Sequence, residues 1–152
     1  MNSRVLDTPF VSCVLIILTI GAGSLWYRSN ADQLPPEIGD YNWNAHPNTM
    51  LIVVPSNYCG CGASPTTLTL QALDHNLDVI VVSDKPGTLL TDVEKMHSSA
   101  KRVTLFDKAG PELMARFCPT NNLGIARIKN NHIEEMALGT IPDDFFGKEG
   151  QV

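Results

Sequence analysis

Apolar positions fall along the chain in three patterns. From 8 to 27 runs TPFVSCVLIILTIGAGSLWY, twenty residues without a charge. A helix of that length spans roughly 30 Å, the hydrocarbon thickness of a bilayer. Short continuous runs come next, MLIVV at 50–54 and VIVV within 78–82, of the kind found in strands buried on both faces. Between and after them, apolar residues recur at helical spacing. Leu68, Leu70, Ala72 and Leu73 predict a helix over 64–75, with Ser64 as N-cap and Pro65 in the first turn. Leu89, Leu90, Val93 and Met96 predict a second helix over 88–97. A strand at 103–106 and a short helix at 111–117 follow. Two runs, 125–128 and 133–137, flank Asn130-Asn131, a hairpin turn because asparagine tolerates positive φ. Strand, helix, strand, helix, strand, helix and a terminal hairpin make an α/β domain with a mixed sheet.

The first pattern sets the organisation of the chain. Residues 1–28 read as one N-terminal transmembrane helix, with Pro9 in its first turn and Trp26, Tyr27 and Arg28 as an interfacial collar. A cleavable signal peptide shares this outline, but the run is long for one and no clean Ala-x-Ala site follows. Either reading exports the remainder. Arg4 and the terminal amine against Arg28 tip the N-terminus toward the cytoplasm, leaving the C-terminal domain on the periplasmic or extracytoplasmic side. Cys13 lies inside the run as a small packing residue. Residues 29–48 carry Pro35-Pro36, Pro47 and no sustained period, and read as a tether onto which Tyr41 and Trp43 dock. The domain then occupies 49–152.

Composition narrows the function. The chain has 152 residues, 43% hydrophobic and 18% charged, as a globular domain does. Its formal charge of −5 argues against a nucleic-acid partner, which needs a basic stripe to neutralise phosphates. Four cysteines are too few for a disulfide scaffold, so sulfur chemistry should sit at one local site.

That site is the loop after the first strand, Pro55-Ser56-Asn57-Tyr58-Cys59-Gly60-Cys61-Gly62. Two cysteines stand one residue apart just ahead of a helix N-terminus. Unpaired N–H groups and the macrodipole there favour the thiolate, the nucleophilic form. The glycines allow a tight turn and close approach by a substrate backbone. Gly60-x-Gly62 also has the look of a dinucleotide loop, but Pro65 stands where that motif needs its third glycine. Soft thiolates offer a further reading, in which Cys59, Cys61 and Cys118 bind Cu(I) or zinc. His46, His75, His97 and His132 sit in polar surroundings and read as surface residues.

The order of these pieces resembles the thioredoxin superfamily, in particular the redoxin branch with its peroxiredoxins and membrane-anchored thiol–disulfide oxidoreductases. The resemblance covers residues 49–138. Residues 51–54 match the strand before the redox site, Tyr58 the aromatic before the first cysteine, and Pro65 the proline of the active-site helix. Residues 79–84 resemble the next strand with its Ser-Asp ending, and 104–117 the family's segment of aspartate, turn, helix and aromatic. The resemblance implies a thioredoxin-like mixed sheet with flanking helices. It also implies thiol–disulfide exchange at Cys59 and Cys61, with Tyr58, Gly60 and Pro119 beside the substrate and Cys118 as a third thiol. No cofactor is implied. Partners would be membrane lipid through 8–27 and exported thiol or disulfide clients, or a membrane complex. Two departures stand out: the family spacing is Cys-x-x-Cys, and Pro119 lies about three residues ahead of the place of the family's cis-proline. An accessory subunit without redox activity is the alternative that fold alone leaves open.

Overall fold

The run Asn-Thr-Met-Leu-Ile-Val-Val forms β1 (Asn48–Val54), and every residue after Asn48 is buried. Only a central strand covered on both faces buries consecutive side chains in this way. A computed structural model describes residues 38, 41–58, 60, 62–84, 90–106 and 109–146. The order from β1 onward is α1 (Pro65–Asp74), β2 (Asp78–Ser83), α2 (Thr91–Ser99), β3 (Val103–Phe106), α3 (Pro111–Phe117), β4 (Gly124–Lys129) and β5 (His132–Leu138). The five strands lie in the order β3-β2-β1-β4-β5. β1, β2 and β3 are parallel, while β4 runs antiparallel to β1 and β5 antiparallel to β4. The fold is α/β with a mixed sheet.

Alternate residues of each strand feed two apolar layers. Met50, Ile52, Val54, Val79, Val81, Val103 and Ile125 face Leu68 and Ala72 of α1 and Val93 of α2. Leu51, Val53, Ile80, Val82, Ala126 and Ile128 face Leu113 and Phe117 of α3. Each Val, Leu, Ile, Met or Phe side chain among these, once buried, stabilises the fold by about 1.5–3 kcal/mol relative to exposure.

Several expected elements appear with adjusted ends. α1 starts at Pro65 with Ser64 as N-cap, although the Ser64 side chain makes no capping bond. α2 begins at Thr91, with Leu90 as its N-cap. The hairpin turns where expected: Asn130 and Asn131 have φ of 50° and 67°, both left-handed, as a two-residue turn matched to strand twist requires. The span expected as tether contributes more than linkage. Ile38 is buried in the layer beneath α3, and Tyr41 and Trp43 pack against the same layer. A 3-10 turn (Trp43–Ala45) leads to His46, whose Nδ1 lies 2.9 Å from Asp78 Oδ2. Arg102 Nε donates to the other oxygen of Asp78 at 3.1 Å. One carboxylate thus ties the entry segment and the α2–β3 loop to the start of β2. The expected membrane helix at 8–27 lies outside the described residues, as do the 85–89 and 147–152 segments. Among the described residues no helix is long and apolar enough to cross a membrane.

Candidate functional site

The β1–α1 loop leaves the sheet at the C-terminal end of its central strand. Here the chain's connections diverge, to parallel β2 on one side and antiparallel β4 on the other. Loops in such a position gather at one end of the sheet, where open α/β folds place their ligands. Cys59 and Cys61 themselves lie outside the described residues. Their neighbours are described, and these fix the frame of the loop.

Tyr58 is only 7% exposed, its ring in the layer beneath α1. Its N–H donates to the Pro55 carbonyl at 3.0 Å, closing the first turn of the loop. Its hydroxyl donates to the Ala63 carbonyl at 2.9 Å. The residue expected beside substrate is therefore turned inward and bonded to the far end of its own loop. Gly60 is exposed with φ +71°, a conformation that side-chain-bearing residues rarely adopt, and a Cβ there would touch nothing. Gly62 is constrained by space instead: a Cβ would lie 2.9 Å from the Gly139 carbonyl oxygen.

Two other loops meet this one. Asn57 Nδ2 donates to Asn121 Oδ1 at 2.6 Å, which joins the 119–122 bend to the front of the β1–α1 loop. Pro119 is exposed in that bend, and the described residues contain no cis peptide bond. The turn after β5 makes the second contact: Ala63 N–H donates to Gly139 O at 3.2 Å, and Gly139 N–H to Leu123 O at 2.8 Å. Asn57 and Gly62 belong to the loop that the sequence singles out, but Asn121 and Gly139 carry no motif that would have marked them. Gly139, after a strand and with φ +73°, offered the faintest signal.

Cys118 sits at the end of α3, on the opposite face of the sheet from α1. Its Sγ donates to the Val53 carbonyl at 3.4 Å, next to the last residue of β1. Burial pushes the thiol up to about 11; a hydrogen bond from the Gly124 backbone offsets part of the rise, and the Asp84 carboxylate adds to it. At neutral pH Cys118 is a protonated thiol, unsuited to attack. Asp84 Oδ1 is buried without a hydrogen-bond partner among the described residues.

The four histidines lie at or near the surface. His46 binds Asp78, His97 Nδ1 donates to Val103 O at 2.6 Å, and His75 stacks on Phe146 with centroids 4.4 Å apart. Among the described residues no three His, Cys, Asp or Glu side chains group as metal ligands. A cleft of about 660 Å³ opens at the other end of the sheet, with His75, Arg127, Lys129, Glu134 and Phe146 in its wall. Of its charges, Arg127 and Lys129 both pair with Glu134. Arg127 Nη2 donates to Glu134 at 2.8 Å and Nη1 to Phe145 O at 3.0 Å.

No family model, curated protein or solved structure matches the chain.

Proposed function

We propose that the protein is a membrane-anchored, thioredoxin-like domain that exchanges thiols and disulfides through Cys59 and Cys61. The observation that carries this reading is the site's position. A Cys-Gly-Cys segment leaves the central strand of a β3-β2-β1-β4-β5 sheet and enters α1 across a Ser-Pro start. The parallel half followed by an antiparallel hairpin is also the strand pattern that a redoxin-like domain would have.

In the exchange, a client thiolate attacks the Cys59–Cys61 disulfide at Cys59 Sγ, and Cys61 leaves as a thiolate. A second client thiolate then attacks the mixed disulfide and releases Cys59. The client loses two electrons and forms one disulfide; the pair gains two and becomes a dithiol. A disulfide-bearing acceptor restores it. With a client disulfide the same steps run in reverse, beginning with attack by Cys59. A disulfide across one glycine closes a small ring and needs a bent backbone, so the bond is strained and gives up its oxidising equivalents readily. Oxidation or isomerisation of clients therefore fits better than reduction. In this reading Cys118, whose thiol burial keeps protonated at neutral pH, is not the attacking group.

The test is a thiol-trapping titration in glutathione buffers, with metal content measured on the same samples. A reversible Cys59–Cys61 couple well above about −270 mV, the thioredoxin value, supports the proposal. Stoichiometric Cu(I) or zinc without a couple makes it a metal-binding protein, and neither result makes it a structural subunit. For the anchor at 8–27, protease added outside intact spheroplasts should digest the domain. Complete protection would place it in the cytoplasm.

A further inference from the structure

All four histidines of the chain stand at one end of the sheet, the end where β1, β2 and β3 begin. His46 lies two residues before β1, and its Nδ1 meets Asp78, the first residue of β2. His75 caps the C-terminus of α1, three residues before β2. His97, in the last turn of α2, bonds the carbonyl of Val103, the first residue of β3. His132 opens β5 opposite Lys129, the last residue of β4. Strands lie about 4.8 Å apart, so five of them spread these rings across roughly 20 Å. His75, His97 and His132 are exposed and His46 is partly so. The entry segment arrives at the same end: Asn130 N–H donates to Pro47 O at 2.8 Å, and Asn131 Nδ2 to Asn44 Oδ1 at 3.2 Å. The β1–α1 loop lies at the opposite end.

The charges facing these rings nearly cancel while the rings are neutral. Asp78 is held between His46 and Arg102, and Glu134 between Arg127 and Lys129 in the cleft that His75 lines. Asp74 precedes His75; Glu94 lies one turn before His97 on α2, and Lys101 in the loop after it. The Tyr41 ring, 5.0 Å from that of His46, stays uncharged, because burial raises its pKa from the ordinary tyrosine value. Histidine is the side chain that gains charge between about pH 8 and 5, so acidification turns this balance into an excess of positive charge. We propose, on the membrane-anchored part of the reading above, that this end is a docking surface for an anionic lipid bilayer, engaged below about pH 6. Phosphodiester headgroups keep their charge over that range, so the change in attraction comes from the protein. It acts within a Debye length of roughly 8–10 Å, so only charges gathered on one end can work together. Docking there leaves the β1–α1 loop turned away from the bilayer and open to clients.

The experiment reconstitutes the full-length protein into vesicles of phosphatidylcholine, with or without about one-third phosphatidylglycerol. Radiolytic hydroxyl-radical oxidation, read by mass spectrometry, reports the exposure of His75 and His132, with Met136 and Leu138, exposed toward the other end of β5, as controls. At about pH 5.5 the anionic vesicles should lower oxidation of both histidines by about threefold relative to the neutral ones, with the controls unmoved. At about pH 7.5 the two vesicle types should give the same oxidation. A protein carrying both His97→Gln and His132→Gln should lose most of the protection at His75. No protection at the lower pH, equal protection by neutral vesicles, protection independent of pH, or full protection in the double variant would each overturn the docking surface. Loss of protection on adding inorganic phosphate, but not chloride at matched ionic strength, would make this end a phosphate-ion site instead and overturn it too. Flotation separates this proposal from the reading beneath it. Protein that fails to float with neutral vesicles lacks the anchor and overturns that reading, whereas protein that floats without pH-dependent protection overturns the docking surface alone.

Discussion

Replacing Gly124 by alanine should damage the fold more than the same change at Gly60, Gly62 or Gly139. Gly124 opens β4, pairs with Val53 of the central strand and passes beneath the end of α3. A Cβ there would lie 2.2 Å from the Phe117 carbonyl oxygen and 2.7 Å from both the carbonyl carbon and Cβ of Phe117. Ordinary carbon contacts need roughly 3.5 Å, so the overlap is of order 1 Å. It falls on backbone, which cannot rotate away as a side-chain end does. Phe117 is fully buried, so α3 must lift its last turn from the sheet and lose part of that packing. Overpacking of this kind costs about 3 kcal/mol or more, at the upper end of the usual range. For a domain near this size that lowers the melting temperature by about 12 °C. Urea unfolding followed by circular dichroism measures the change. Gly60→Ala provides the comparison: nothing crowds its Cβ, and only the left-handed backbone resists, at roughly 1–2 kcal/mol. A loss below about 1 kcal/mol for Gly124→Ala, or one no larger than that for Gly60→Ala, would refute the reasoning.

Ile38→Ala should cost about 2–4 kcal/mol in the same assay, because Ile38 is 2% exposed beneath α3; a passive tether would give no change. Between pH 9 and 11 the unfolded chain ionises Cys118 while the folded protein keeps it protonated, so the unfolded state binds fewer protons and stability falls as pH rises. Cys118→Ala should flatten that decline in urea titrations, and an identical slope would remove the role given to burial. Cys118 should also react with iodoacetamide at pH 8 about a hundredfold more slowly than a free thiol, which mass spectrometry of the native protein reads directly. Asn131→Gly should raise the melting temperature by a degree or more, since glycine adopts φ near 67° without the strain a side chain brings.

What the sequence disclosed and what it hid divide along a physical line. Strands buried on both faces announce themselves as unbroken apolar runs, and β1 and β2 were legible for that reason. Pro65 and Pro111 mark helix starts by their fixed φ, and α1 and α3 begin at those residues. Asn130-Asn131 named its own turn. Contacts between distant segments left no such mark. Ile38 looks like any apolar residue in a polar stretch, and only the layer it enters makes it core. Tyr58 was legible as an aromatic beside a cysteine, whereas its inward direction depends on Ala63 and the space beneath α1. Gly62 read as loop freedom; in the structure it is an absence of room beside Gly139.

The placement of β1 has a consequence for how the chain acquires its shape during synthesis. β1 is flanked by β2, which follows soon after it, and by β4, which pairs Asn48 with Lys129 and Val53 with Gly124. A chain emerging N-terminus first therefore carries its most apolar strand with one open edge until nearly all of the domain has been made. The ends of that pairing are far apart in sequence, so closing it comes late and slowly. Leu123, which anchors the turn that holds Ala63, also arrives with β4. The Cys-Gly-Cys loop gains its frame only at that last step. Until β4 and the turn after β5 have emerged, the β1–α1 loop therefore lacks the Gly139 contact that holds Ala63 at its exit.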